Sequence, residues 1–168
     1  MLKINIEKSL YELNLKLEEV KRIQQFNPLS HIGGSVALYL HGICLKRIMQ
    51  NTTAIDFDIC TPYYVPLTGG DNDKILIDED SNRASDADYR EVLTFNNIKV
   101  DYRVAPAEPW IIITHDDFLF KVTPLEIIME AKFRYAMTGN KKHRDDCREI
   151  SGLVNIDYNY KEQDNLPF

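Results

Sequence analysis

Apolar residues recur at Ile6, Leu10, Leu13, Leu17 and Val20, three or four positions apart, with charged residues filling the gaps. That period puts them on one face of a helix, which ends near Pro28. Leu29 to Ile32 reads as a short extended lead-in to Gly33-Gly34-Ser35. Val36, Leu38, Tyr39, Leu40 and Ile43 follow without a single stripe, the pattern of a short helix buried on several sides. Lys46 to Ala54 reads as a polar connection. From Ala54 to Thr61 the period drops to two: Ile55, Phe57 and Ile59 share one face of a strand, and Asp56, Asp58 and Cys60 share the other.

Further along, Gly69-Gly70-Asp71-Asn72-Asp73 marks a turn, and the acidic runs Asp78-Glu79-Asp80 and Asp86 to Asp88 mark a surface insertion over residues 68–88 with one short strand at Lys74–Ile77. These runs lack the spacing of a helix–loop–helix calcium site. Glu91–Phe95 and Ile98–Val104 flank Asn96-Asn97, which predicts an antiparallel hairpin. In its second arm Ile98, Val100, Tyr102 and Val104 share one face, and Lys99, Asp101 and Arg103 share the other. Trp110–Thr114 and Phe118–Val122 flank His115-Asp116-Asp117, a second hairpin. Thr123-Pro124-Leu125-Glu126 predicts a helix start, with Thr123 as cap and Glu126 closing a capping box. That helix runs to Met137 and stops at Gly139; a last helix spans Lys141–Ser151 and stops at Gly152. Strands and helices in this order predict an α+β fold: a mixed β-sheet flanked by α-helices, with C-terminal helices. Residues 1–154 read as one domain and 155–168 as a loosely held tail.

At 168 residues and 44% hydrophobic content the chain has enough apolar surface for a core. A net charge of −6 argues against general polyanion binding but leaves room for a local basic face. Cys44, Cys60 and Cys147 are odd in number and widely spaced, which predicts a reduced, cytoplasmic setting with neither a disulfide framework nor a zinc site. No apolar run is long enough for a signal peptide or a membrane span. His31, His41 and His115 have no metal-ligand spacing and read as structural or turn residues.

The chemistry concentrates in three places. Asp56 and Asp58, two apart on a strand, point the same way roughly 6.6 Å apart along it. Such a pair spans the separation of about 3.5–4 Å between ions in two-metal phosphoryl-transfer sites; it is also common on a solvated strand face. Asp101 in the same pattern on another strand shifts the weight. Three crowded carboxylates repel by several kcal/mol at an effective dielectric of about 20, so such a cluster implies cations. Gly33-Gly34-Ser35 before an apolar helix lets a backbone approach a phosphate at the helix N-terminus, with Ser35 either adding a hydroxyl or capping the helix. Lys132 lies on or near the apolar stripe of its helix and either snorkels outward or reaches into a cleft. Lys132, Arg134, Lys141, Lys142, His143, Arg144 and Arg148 make the C-terminal helices locally basic. They suit a triphosphate or a nucleic-acid backbone, or ion pairs to Glu130, Asp145, Asp146 and Glu149.

On Gly33-Gly34-Ser35-Val36-Ala37-Leu38-Tyr39-Leu40-His41-Gly42, then Asp56-Phe57-Asp58-Ile59, then Val100-Asp101-Tyr102-Arg103-Val104, the chain resembles the nucleotidyltransferase superfamily with the DNA polymerase beta-like core. Lys132 with Lys142-His143-Arg144-Asp145-Asp146 is similar to the closing helices of that group, and small prokaryotic or phage members related to the minimal nucleotidyltransferases and the abortive-infection toxins are the nearest in kind. The resemblance covers about residues 29–150, with a longer stretch, Leu45–Ala54, between turn and aspartates than compact members have. It implies two Mg2+ (or Mn2+) ions on Asp56 and Asp58, with Asp101 completing the site nearest the attacking hydroxyl. Gly33, Gly34 and Ser35 would hold the phosphates of a nucleoside triphosphate, and Lys132 would touch them. The implied activity is transfer of a nucleoside monophosphate to a hydroxyl of RNA or tRNA, protein or a small molecule, with release of pyrophosphate. The alternatives are a nucleotide-binding pseudoenzyme, or a regulatory module with a cognate antitoxin or host protein as partner.

Overall fold

The computed structural model describes residues 6–67, 72–75, 89–105 and 108–154. Helix α1 (Ile6–Phe26) buries Leu13, Leu17, Val20 and Ile23, the stripe its period predicts. It is pinned along its length by polar ties. Ser9 Oγ donates to Met49 O at 2.7 Å, and Gln24 exchanges two hydrogen bonds with the backbone of Lys121. Asn27, just beyond its end, is buried and donates to Thr61 Oγ1 and Tyr102 Oη, both at 3.0 Å.

Seven strands form one mixed sheet: β1 (His31–Gly33), β2 (Asp56–Thr61), β3 (Asn72–Ile75), β4 (Tyr89–Phe95), β5 (Ile98–Val104), β6 (Ile111–His115) and β7 (Phe118–Val122), in the order β3-β4-β5-β2-β1-β7-β6. β1 runs parallel to β7, and β2 parallel to β5; the other neighbours are antiparallel. The two hairpins turn where the sequence places them. Phe95 pairs with Ile98 around Asn96-Asn97, and His115 with Phe118 around Asp116-Asp117. Asn96, Asp116 and Asp117 take positive φ, which Asn and Asp tolerate better than other side chains.

One sheet face is the core: Phe57 and Ile59 of β2, Leu93 and Phe95 of β4, and Ile98, Val100 and Tyr102 of β5 are all buried. Helix α2 (Gly34–Leu40) packs on β1 and β2 through buried Val36, Ala37, Leu38 and Leu40. Helices α4 (Leu125–Met137) and α5 (Lys141–Val154) close the described chain. The architecture is therefore the expected α+β arrangement of a mixed sheet with flanking and C-terminal helices.

Four local expectations change. Lys46–Ala54 is not a plain connection but a short helix α3 (Lys46–Gln50) and a single 3-10 turn (Thr52–Ala54), because Leu45, Ile48 and Met49 are buried. The strand in the acidic segment is Asn72–Ile75; the rest of residues 68–88, and the tail 155–168, lie outside the described residues. Thr123 does not cap α4, whose N-cap is Pro124 with no side-chain hydrogen bond. Its backbone continues the sheet instead, Thr123 N donating to Ile32 O at 2.9 Å and Thr123 O accepting from His41 Nε2 at 2.8 Å. Gly152 does not stop α5, which runs on to Val154.

Candidate functional site

The face opposite the core carries the aspartates. Asp58 stands directly beside Asp101 in the register of the parallel β2–β5 pair, and Asp56 stands beside Lys99. Gly33 of β1 stands opposite Asp58 on the other flank of β2. Three strands far apart in sequence thus converge on Asp58. The chain then turns at Gly34 with φ +64°, a left-handed conformation that other residues rarely adopt. A side-chain carbon on Gly34 would overlap Asp58 Oδ2 and lie 3.1 Å from its Cγ. The Gly33-Gly34-Ser35 turn and the carboxylate of Asp58 therefore form one contact surface, closed to anything larger than hydrogen.

The carboxylates differ in their surroundings. Burial pushes Asp58 up to about 6, with Arg103 opposing the rise and Asp101 and Asp56 adding to it. Asp101 is clamped by Arg90 of β4, whose Nε donates to Oδ1 at 2.9 Å and Nη2 to Oδ2 at 2.6 Å. Asp56 is more open, with Lys99 Nζ 3.4 Å away. The expected mutual repulsion is present, and protein cations meet it. Arg90, Lys99 and Arg103 were not singled out by sequence reasoning. The alternation that put Lys99, Asp101 and Arg103 on one strand face carried the signal for two of them. Arg103 Nε is buried without a hydrogen-bond partner among the described residues, on the strand face that bears Asp101.

Ser35 and Lys132 belong to a second cluster that reaches the turn from behind. Arg47 of α3 donates through Nη2 to Ser35 Oγ at 2.5 Å, and through Nε and Nη2 to both oxygens of Asp146 on α5. Lys132 of α4 is buried and donates to Asp146 Oδ2 at 2.9 Å. Burial lowers the Lys132 ammonium, and Asp146 restores part of the loss. Burial alone would raise Asp146, but the hydrogen bond from Arg47 and the charge of Lys132 hold it below the usual carboxylate range. Of the two readings of Lys132, the inward one matches its placement, with Asp146 as partner. Its charge also reaches Asp58 and favours the ionised form there. The stretch Leu45–Ala54 is the segment that brings Arg47 to the turn.

Much of the basic character of α5 is matched within the same helix: Lys141 lies 3.6 Å from Asp145 and Arg148 3.8 Å from it. A cavity of about 450 Å³ between α3 and α5 is lined by Lys46, Arg47, Lys141 and Lys142 together with Asp145, Asp146 and Glu149. His41 and His115 are structural ties, His115 Nε2 donating to Asn14 Oδ1 at 2.9 Å. His31 is different: it lies beside Cys60 and Glu108, a grouping that spacing in sequence conceals. Among the described residues, no helix is long and apolar enough to cross a membrane. Comparison with family models, with curated proteins and with solved structures finds no match.

Proposed function

We propose that the chain is a metal-dependent nucleotidyltransferase that uses a nucleoside triphosphate as donor. The observation that carries this reading is the juxtaposition of Asp58 and Asp101 across β2 and β5, against a Gly34 turn with no room for a side chain. In the reaction, an acceptor hydroxyl oxygen bonds to the α-phosphorus and the bond from that phosphorus to the β-phosphate oxygen breaks. Pyrophosphate leaves with the electron pair, and the hydroxyl proton passes to a base.

The donor set fits magnesium or manganese: all-oxygen ligands from Asp56 and Asp58, with Asp101 in register beside them. When bound, the ions supply charge neutralisation for the phosphates and the leaving group. The chain supplies the rest. Gly34 lets the Asp58 carboxylate lie against the turn, Ser35 offers a hydroxyl that Arg47 already orients, and Arg103 Nε has no hydrogen-bond partner among the described residues. Lys132 acts from behind Asp146 by charge. Candidate acceptors are RNA or tRNA, protein or a small molecule.

One observation favours a second reading, a nucleotide-binding regulatory module: Arg90 engages both oxygens of Asp101, the carboxylate that would serve the attacking hydroxyl. Pyrophosphate release separates the two. With magnesium or manganese, all four triphosphates and a broad acceptor panel, the wild-type chain is expected to release pyrophosphate. Asp58→Asn, nearly the same shape without the charge, is expected to lose orders of magnitude while still binding nucleotide. Equal, background-level release from both proteins, with nucleotide binding intact, would overturn the enzyme in favour of the regulatory module.

A further inference from the structure

We infer that His31, Cys60 and Glu108 form a binding site for a divalent, borderline-soft metal ion of the zinc class. The site is separate from the aspartates and does not depend on how they are read. His31 on β1 pairs in register with Cys60 on β2, so both side chains leave the same face of the sheet. Glu108, between β5 and β6, lies over them. One ligand atom from each residue lies within 4.8 Å of the other two, and His31 Nε2 is 3.5 Å from Glu108 Oε2. A tetrahedral zinc ion, with bonds of roughly 2.0–2.3 Å, holds its ligand atoms roughly 3.3–3.8 Å apart. The cluster needs only a small inward movement, and Glu108, 42% exposed, is free to make it.

A second observation points to a missing partner. The imidazole of His31 is 2% exposed, yet among the described residues neither ring nitrogen meets a partner at good hydrogen-bond geometry, Nε2 reaching only Glu108 Oε2 at 3.5 Å. Buried polar groups are nearly always satisfied, because an unmet one forfeits its hydration without recompense. His31 borders a small cavity of about 50 Å³ that it shares with Cys60 and Glu108 and that Leu29, Pro62 and Trp110 help to wall. That volume accommodates an ion and a water. Nitrogen, thiolate and carboxylate together are a zinc-type donor set, whereas magnesium and calcium prefer oxygen alone. Burial and Glu108 push the free Cys60 thiol up to about 12, with Arg103 opposing the rise, so an ion binding there has to displace that proton. With three protein ligands the fourth position falls to water. The ion would tie the connection bearing Glu108 to the centre of the sheet, at the end of the β1–β2 pairing away from Gly33 and Asp58.

Cobalt reports on such a site directly. The full chain, stripped with a chelator and kept in excess magnesium to occupy the carboxylates, is titrated with Co2+ alone. The expected result is one equivalent bound, with a thiolate-to-cobalt charge-transfer band, tetrahedral visible bands, displacement by Zn2+ and a raised melting temperature. Cys60→Ser should abolish the charge-transfer band, while Cys44→Ser and Cys147→Ser should retain it. Glu108→Gln, at an exposed position that leaves the core intact, should weaken cobalt binding by roughly tenfold or more. Absence of a stoichiometric band, a band that survives Cys60→Ser, or equal affinity in Glu108→Gln and wild type would overturn the site.

Discussion

Gly34 is held by two separate demands, and they can be pulled apart experimentally. Its φ of +64° penalises any side chain, and a Cβ there also overlaps Asp58 Oδ2. Gly42 shares only the first demand: its φ is +90°, and a Cβ would meet nothing within 4 Å. Gly42→Ala is therefore expected to lose about 1–2 kcal/mol of stability, and Gly34→Ala clearly more, by urea denaturation. In an Asp58→Ala background the excess at Gly34 should disappear, so the double variant loses less than the sum of the two single losses. Equal losses at the two glycines would remove the contact. The same geometry makes a bulky Gly34 variant unsuitable as a nucleotide-binding probe, since it displaces a carboxylate as well as a ligand.

Asp58 also predicts a pH dependence. Burial raises its folded pKa from 3.8 to about 6, so the folded protein holds this proton more tightly than the unfolded chain does. The associated stability is fully present below pH 3.8 and is lost as pH rises through about 6. With chelator present, the ionisation should remove about 2–3 kcal/mol across that window. Asp58→Asn stays neutral throughout and should lack this component. Parallel stability–pH profiles for the two proteins between pH values of about 4 and 7 would contradict the assignment.

Among the elements, α3, α4 and α5 meet at Asp146, and the buried part of that junction outweighs the exposed pairs around it. Asp146 and Lys132 are 4% and 5% exposed, whereas Lys141 and Asp145 are 89% and 54% exposed. Asp146→Ala leaves the buried Lys132 ammonium without its acceptor and frees Arg47. Its expected cost is about 3–5 kcal/mol, against at most about 1 kcal/mol for Lys141→Ala. Because Asp146 is held below its ordinary value, its contribution is present above the unfolded pKa and fades as pH falls through the folded one. Urea titrations of both variants measure the contrast, and similar losses would reduce the junction to an ordinary surface pair.

The same elements show which features were legible in the chain. Alternation at Asp56–Thr61 and Ile98–Val104 assigned faces correctly, because one side of each strand is core and a shift of one residue would bury the charges. The stripe of α1 and the two-residue turns were equally explicit. Helix α3 was hidden: its apolar contribution is only Ile48 and Met49 in five residues, too short a run to show a helical period. Thr123 carried a capping signature that the sheet overrode by engaging its backbone. Of the candidate site, the convergence of Asp56, Asp58 and Asp101 was readable by face. Arg90 opposite them and Glu108 beside His31 and Cys60 were not, because cross-strand register and the path of a connection are tertiary facts.

Across the whole molecule, both sides of the central β1–β2 pair are closed by parallel partners, Ile32 against Val122 on one flank and Asp58 against Asp101 on the other. Parallel neighbours never follow from a tight turn; each requires the chain to travel out and return. The antiparallel hairpins at Asn96 and Asp116 close locally, while these two pairings wait on long loop closures whose entropy must be met before any contact rewards it. During folding, Asp58 thus remains on an open strand edge until β5 arrives, and the glycine turn beside it lacks its far neighbour until β7 does. The face that bears Asp58 and Asp101 is thus built on long-range closures, whereas the two hairpins rest on local ones.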